Sequence, residues 1–264
     1  MYNFEYTKAS SASAAADALK ADEDAKVVAG GMTLIPTLKQ RLAQPSTLID
    51  LNGLDDLRGI TVSGDTVTVG AMTLHDTVAR SADVAKAIPA LAYLAGLIGD
   101  PAVRNRGTIG GSISNNDPAA DYPAALVGLG ATVKTTSREI AADDFFVDLF
   151  ETALAEDEIV TSISFPIPEK AGYQKFPNPA SRYAIVGVFV AQAKDGVRVA
   201  VTGAGPCVFR VPEMEAALSS DWSADAVAGV KVSDDGLNAD IHASAEYRAH
   251  LVTIMAKRAV AASK

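Results

Sequence analysis

The segment VVAGGMTLIP, residues 27–36, most narrows the folds open to this chain. An apolar, β-branched start breaks on Gly30 and Gly31, and the polar Thr33 leads into Leu34, Ile35 and Pro36. The order fits a buried strand, a tight turn and a helix that opens on Thr33 with Pro36 in its first turn. Unpaired backbone N–H groups converge at such a turn, which suits it to an anion. A second glycine pair, Gly110 and Gly111, sits between Thr108 and Ser112 in RGTIGGSISNNDPAAD. Glycine lets a backbone approach a ligand closely and adopt positive φ, and Thr33, Thr108 and Ser112 add hydroxyl donors. Read singly, each loop is an ordinary tight turn. Read together, the two can enclose an extended diphosphate.

The flanking elements place the first loop in a small parallel unit. SSASAAADALKADED reads as a short helix capped near Ser10 or Ser11, and TLIDL as a further strand. A β-α-β unit over residues 1–56 follows. DTVTVGAMT then alternates with period two, as a half-buried strand does. DVAKAIPALAYLAGLIG reads as one apolar helix that tolerates Pro89. Residues 100–121 read as a long polar loop, YPAALVGLG as a short helix, ATVKTTS as a strand, and DEIVTSISFPIP as a strand ended by Pro166 and Pro168. That proline pair marks a boundary near residue 168. Beyond it, YAIVGVFVAQAKDGVRVAVTGAG reads as a hairpin joined at Asp195 and Gly196. A C-terminal helix follows, with Leu251, Ile254 and Met255 on one stripe.

Composition excludes several functions. A net charge of −9 over 264 residues argues against nucleic acid, which needs a basic footprint. It leaves room for a phosphorylated cofactor held by backbone N–H groups. The single cysteine, Cys207, rules out an internal disulfide and an iron–sulfur cluster ligated by this chain alone. His75, His242 and His250 are too scattered for a metal site. No apolar run is long enough to span a membrane, and the start lacks the pattern of a signal peptide, so a cytoplasmic location is expected. There is no G-x-x-x-x-G-K-[ST], and GLGATV at Gly128 precedes a strand and lacks the third glycine of a dinucleotide fingerprint.

VVAGGMTLIPTLKQRLAQPSTLIDL together with RNRGTIGGSISNNDPAADYPAAL resembles the FAD-binding medium subunit of the molybdenum hydroxylases, the carbon monoxide dehydrogenase-like and xanthine dehydrogenase-like enzymes. The likeness extends through EDEIVTSISFPIP, YQKFPNPASRYAIVG and the C-terminal hairpin. It implies an α+β fold: a two-part FAD-binding region of the p-cresol methylhydroxylase/vanillyl-alcohol oxidase type, residues 1–56 and 57–168, then a C-terminal domain, residues 169–264, with an antiparallel sheet and helices. It implies that Ala29, Gly30, Gly31, Met32 and Thr33, flanked by Val27, Val28 and Leu34, wrap the FAD diphosphate. Thr108, Ile109, Gly110, Gly111 and Ser112 meet the same diphosphate and the ribityl side. Asp121 matches an FAD-binding aspartate, Val160 a position packed on the adenine end, Lys175 a lysine near the flavin, and Tyr183 a residue beside the isoalloxazine ring. The function implied is electron transfer. A large molybdopterin subunit hydroxylates a substrate, a small subunit carries [2Fe-2S] clusters, this chain's FAD passes electrons to an external acceptor, and the assembly is a dimer of heterotrimers.

Met32 and Thr33 depart from the Gly-Gly-His or Gln-Ser usual in the first loop. Thr33 keeps a hydroxyl, whereas Met32 contributes only backbone. The loop has no His or Cys, so the FAD is expected to be non-covalent. Asp117 and Asp121 read as loop-capping and ligand-contact residues rather than a catalytic pair. His75 reads as lying in a helix capped by Thr73, and Cys207 as packing. Arg104 and Arg106 either steer the diphosphate or hold an acidic partner surface. Tyr183 reads as either core or flavin neighbour. Two rival readings remain, a self-sufficient FAD oxidoreductase and an assembly module without flavin.

Overall fold

The computed structural model describes residues 1–264, with mixed helix and sheet throughout. The first sheet is parallel, with Thr47–Asp50 central between Glu5–Lys8 and Lys26–Val28. Leu48, Ile49 and Asp50 are buried there. The helix Ala12–Ala21 begins at Ser11, whose hydroxyl accepts the Ala14 N–H at 3.0 Å. The parallel unit expected for residues 1–56 is present, with two differences. Glu5–Lys8 is a strand that the sequence did not announce, because all four of its residues are exposed and no alternation marks it. Lys26–Val28 is an edge strand rather than a buried one, with only Val28 inside.

The second sheet is antiparallel, in the order Ile60–Ser63, Thr66–Gly70, Val160–Pro166, Thr132–Thr135, Glu139–Ala141. Period two in DTVTVG puts Val67 and Val69 on the buried face, opposite Phe165 and Ile163. Two expectations fail beside it. The single helix through Pro89 is two helices, Ala82–Ala87 and Pro89–Gly96, meeting at Ile88 with φ −139°. Proline disfavours the α region for the residue before it, so Ile88 leaves the helix. Residues 100–121 are not one loop either. They hold Pro101–Arg104, capped by the Asp100 carboxylate, and Ile109–Asn115, capped by the Thr108 hydroxyl. Two glycines inside the second of these hid it, since glycine is a poor helix former.

The third sheet runs Lys170–Pro177, Ala184–Ala193, Gly196–Thr202, Phe209–Arg210, all antiparallel. Its second strand is buried on both faces, which explains the unbroken apolar run. Phe189 and Ala191 pack with the helix Tyr122–Leu129, while Val186, Val188 and Val190 pack with the helix Ala245–Ala262. On the expected C-terminal stripe, Leu251 and Met255 are buried and Ile254 lies partly buried beside them. The hairpin turns at Lys194 and Asp195, one residue earlier than expected, with Ala193 opposite Gly196. The largest apolar cluster joins Val67, Val69 and Leu126 to Tyr173, Phe189 and Ala200, so one core continues across residue 168. No helix is long and apolar enough to cross a membrane.

Candidate functional site

Between the first and second sheets lies a cavity of about 680 Å³ whose wall includes both glycine loops. In the first loop, the N–H groups of residues 29–34 find no acceptor anywhere in the chain. Six consecutive unpartnered donors on a concave wall are a donor set suited to an anion. Gly31 adopts φ +73° there, a conformation that favours glycine. The loop is pinned from below. Asn52 Nδ2 donates to the Ala29 carbonyl at 2.9 Å and to Asp50 Oδ1 at 2.8 Å, and the Tyr6 hydroxyl donates to Asp50 Oδ2 at 2.6 Å. Thr33 precedes the helix Leu34–Lys39, but its hydroxyl makes no capping bond and stays free.

The second loop is built the other way. The Ile109 N–H donates to Thr73 O at 3.1 Å, Gly110 to Ala71 O at 2.8 Å, Gly111 to Thr108 Oγ1 at 3.2 Å, and Ser112 to Thr108 O at 3.0 Å. Gly110 and Gly111 have ordinary negative-φ helical backbone, so the expectation of positive φ holds only at Gly31. A Cβ on Gly110 would lie 2.6 Å from Ala71 Cβ and 2.8 Å from its carbonyl oxygen. Glycine is required there by packing, and Thr108, Gly111 and Ser112 line the cavity beside it. The two loops also touch, because a Cβ on Gly30 would lie 2.8 Å from Gly107 Cα, and closer still to the Arg106 carbonyl oxygen.

Of the residues expected at the site, Val27, Ala29, Gly30, Gly31, Met32, Thr33 and Leu34 lie on the wall, as do Thr108, Gly110, Gly111, Ser112, Asp117, Asp121, Val160 and Tyr183. Three do not. Val28 packs with Leu38 and Leu48, Ile109 is in the main core, and Lys175 stands behind the wall. Lys175 Nζ pairs with the buried Asp121 at 2.9 Å and donates to Leu97 O at 3.0 Å, and the Tyr173 hydroxyl donates to Asp121 at 2.6 Å. Burial pushes the Asp121 carboxyl up, and the Lys175 charge and both hydrogen bonds oppose it. Asp121 therefore does not cap the helix Tyr122–Leu129 with its side chain. Asp117 accepts the Ala119 N–H at 2.9 Å, and burial raises its carboxyl.

The sequence reading missed other wall residues. Glu158 is one; Arg138, 3.0 Å away, holds its carboxyl down at about 2 against burial, helped by Thr135, Ala155 N–H and Ser137. His75 is another. Thr73 does not cap its helix, His75–Arg80; the Thr73 hydroxyl is taken up by the Gly59 backbone. Burial, reinforced by Arg104, pushes the His75 imidazole down to about 4, so it is neutral at pH 7. Its Nδ1 and the neighbouring Tyr122 hydroxyl are buried without partners. Arg104 ties the Ile98 and Gly99 carbonyls, at 3.1 and 3.0 Å, while Arg106 is exposed. Cys207 is half-buried, and its sulfur accepts from Asn116 Nδ2 at 3.6 Å.

The free donors of the first loop suit a diphosphate, and the cavity has the size of ordinary cofactor sites. No cluster of His, Cys, Asp or Glu could hold a metal ion. The residues present therefore fit an extended dinucleotide better than a metal centre.

Known proteins agree. The family described as FAD binding domain in molybdopterin dehydrogenase matches residues 2–168. The nicotine 6-hydroxylase medium subunit of Paenarthrobacter nicotinovorans is 38% identical, covering 97% of this chain and 95% of its own length. The carbon monoxide dehydrogenase medium chain of Hydrogenophaga pseudoflava is 34% identical, covering 91% of this chain and 89% of its own. A chain of quinoline 2-oxidoreductase from Pseudomonas putida 86 superposes with a TM-score of 0.89 at 28% identity, covering 98% of this chain and 96% of that one. The chain thus belongs to the family of FAD-binding domains found in molybdopterin dehydrogenases.

Proposed function

We propose that this chain is the FAD-carrying electron-transfer subunit of a molybdenum hydroxylase. One observation carries the proposal: the row of unpartnered N–H groups at residues 29–34 on the cavity wall, in a chain of the FAD-binding family. Bound FAD supplies one- and two-electron redox chemistry. The chain's own residues do the rest. Residues 29–33 donate N–H groups to the diphosphate, held in place by Asn52 and Asp50. Thr108 and Ser112 offer hydroxyls from the opposite wall, and Val160 packs against the adenine end. Asp121, fixed by Lys175 and Tyr173, accepts from a cofactor hydroxyl, and Tyr183 stands beside the flavin ring. No residue of the first loop can attach FAD covalently, so the cofactor is held non-covalently.

The chain takes electrons from [2Fe-2S] clusters on a small partner subunit and passes them to an external acceptor. The large partner subunit carries the molybdopterin and the hydroxylation chemistry. Cys207 is the chain's one cysteine, so the clusters belong to another polypeptide. The relatives' names specify nitrogen heteroaromatics (nicotine, quinoline) and a diatomic gas (carbon monoxide), a spread that fits substrate choice lying on the large partner subunit. The reading includes a cytoplasmic dimer of heterotrimers. It also includes the division into residues 1–56, 57–168 and 169–264, with the first two parts forming an FAD-binding region of the p-cresol methylhydroxylase/vanillyl-alcohol oxidase type. The test is anaerobic mixing of substrate with the full complex and with this chain alone. Flavin bleaching is expected in the complex only. Bleaching in the isolated chain would instead establish a self-sufficient oxidoreductase.

A further inference from the structure

Phe150 occupies the left-handed backbone region at φ +55°, where a bulky residue is strained. It lines the cavity, yet 57% of it is exposed. It lies at the tip of a two-stranded hairpin, Phe146–Asp148 and Glu151–Thr152. The strain is imposed by one neighbour. Asn116 is buried and itself left-handed at φ 41°. Its Nδ2 donates to the Asp148 and Glu151 carbonyls at 2.8 Å each, and its carbonyl accepts the Phe150 N–H at 3.2 Å. Three hydrogen bonds thus fix the tip to the C-terminal end of Ile109–Asn115, the helix that opens with the second glycine loop.

A turn that only reversed the chain would take glycine or asparagine at this φ. A phenylalanine there keeps an aromatic face open to the cavity at the expense of local strain. The same cavity wall carries the apolar Leu154, Ile159 and Val160, whereas the unpartnered donors belong to residues 29–34. An open aromatic face in a cavity that also has apolar lining suits a planar ring, which packs on it in an offset stack.

We propose that Phe150 is a ring clamp, held in its strained conformation by Asn116 to stack on one planar ring of bound FAD. The proposal rests on the FAD reading above. The shared chemistry is a flat heteroaromatic ring, supplied by either the adenine or the isoalloxazine.

The test is titration of the flavin-free full chain with FAD, followed by fluorescence and calorimetry, for the wild type, Phe150→Gly and Phe150→Tyr. The glycine variant adopts the observed φ without strain and keeps the turn. It is expected to bind FAD about tenfold more weakly, the scale of one lost ring stack. The tyrosine variant is expected to bind within about twofold of wild type, because it keeps the aromatic face. Parallel titrations with ADP and FMN identify the ring. A loss confined to ADP assigns the clamp to adenine, and a loss confined to FMN assigns it to the isoalloxazine. Equal FAD affinity in Phe150→Gly and wild type overturns the clamp and leaves the FAD reading standing. A wild-type chain that takes up no FAD overturns both.

Discussion

Two loops of this protein share a Gly-Gly pair at the start of a helix and use it for opposite purposes. In the first, residues 29–34 leave every backbone donor free, and Gly31 is there for its positive φ. In the second, residues 109–112 spend their donors on Thr73, Ala71 and Thr108, and Gly110 is there because Ala71 leaves no room for a Cβ. One is a nest of free donors suited to an anion, the other a rigid wall that the nest leans on through Gly30 and Gly107. A glycine motif therefore does not disclose by itself whether its backbone is available. That depends on what packs behind it.

The sharpest separation comes from Gly110→Val. Its branched side chain would collide with Ala71 and break the Gly110 N–H bond, at a cost of about 3 kcal/mol or more. Thermal unfolding should show a large loss of stability both in the flavin-free chain and after FAD addition. A stable Gly110→Val that merely fails to bind flavin would make the second loop a ligand loop like the first.

Acid should also separate the loops. The His75 imidazole packs directly on Gly107, where a Cβ would lie 2.5 Å from Nε2, and its Nδ1 is buried without a partner, so the wall is built around a neutral ring. The folded value of about 4 lies below the ordinary 6.5, so the unfolded chain binds the proton first. Its stabilising share is intact above pH 6.5 and is lost as pH falls toward 4, about 3 kcal/mol in all. Glu158 follows the same sign in a lower window, from its ordinary 4.5 down to about 2. Denaturant unfolding between pH 7 and 4 should lose this slope in His75→Leu. An unchanged slope would remove His75 from the acid response.

Gly31→Val acts on the nest. A left-handed β-branched residue costs about 1–2 kcal/mol, and its side chain would press on Ile35 Cγ1, 2.9 Å from the Cβ position. The helix Leu34–Lys39 can shift outward, so the fold should survive while FAD affinity falls at least tenfold by equilibrium titration. The smallest effect is expected from Asn52→Ala. Loss of its bond to the Ala29 carbonyl costs about 1 kcal/mol, which should appear as an approximately fivefold weaker FAD affinity with near-normal melting.

The first loop was legible because its signals are local: an apolar strand, two glycines, and a helix start within ten residues. The pattern in DTVTVG and the Pro166–Pro168 stop were legible for the same reason. What the sequence concealed depends on distant partners. Nothing near Gly110 announces Ala71, and nothing near Ala29 announces Asn52. Lys175 reads as a flavin neighbour until the structure shows its charge taken by Asp121. His75 reads as an ordinary helical histidine until Gly107 and Tyr122 are seen to enclose it. Phe150 drew no reading from the sequence, because φ cannot be read from residue type.

Amide hydrogen exchange in the flavin-free chain and after FAD addition, resolved to single residues, tests the central claim most directly. In the flavin-free chain, the amides of residues 29–34 should exchange fast and those of 109–112 slowly. FAD should protect residues 29–34 strongly and change 109–112 little. Strong new protection at 109–112, with residues 29–34 still exchanging freely, would contradict the division of the site into a nest and a wall.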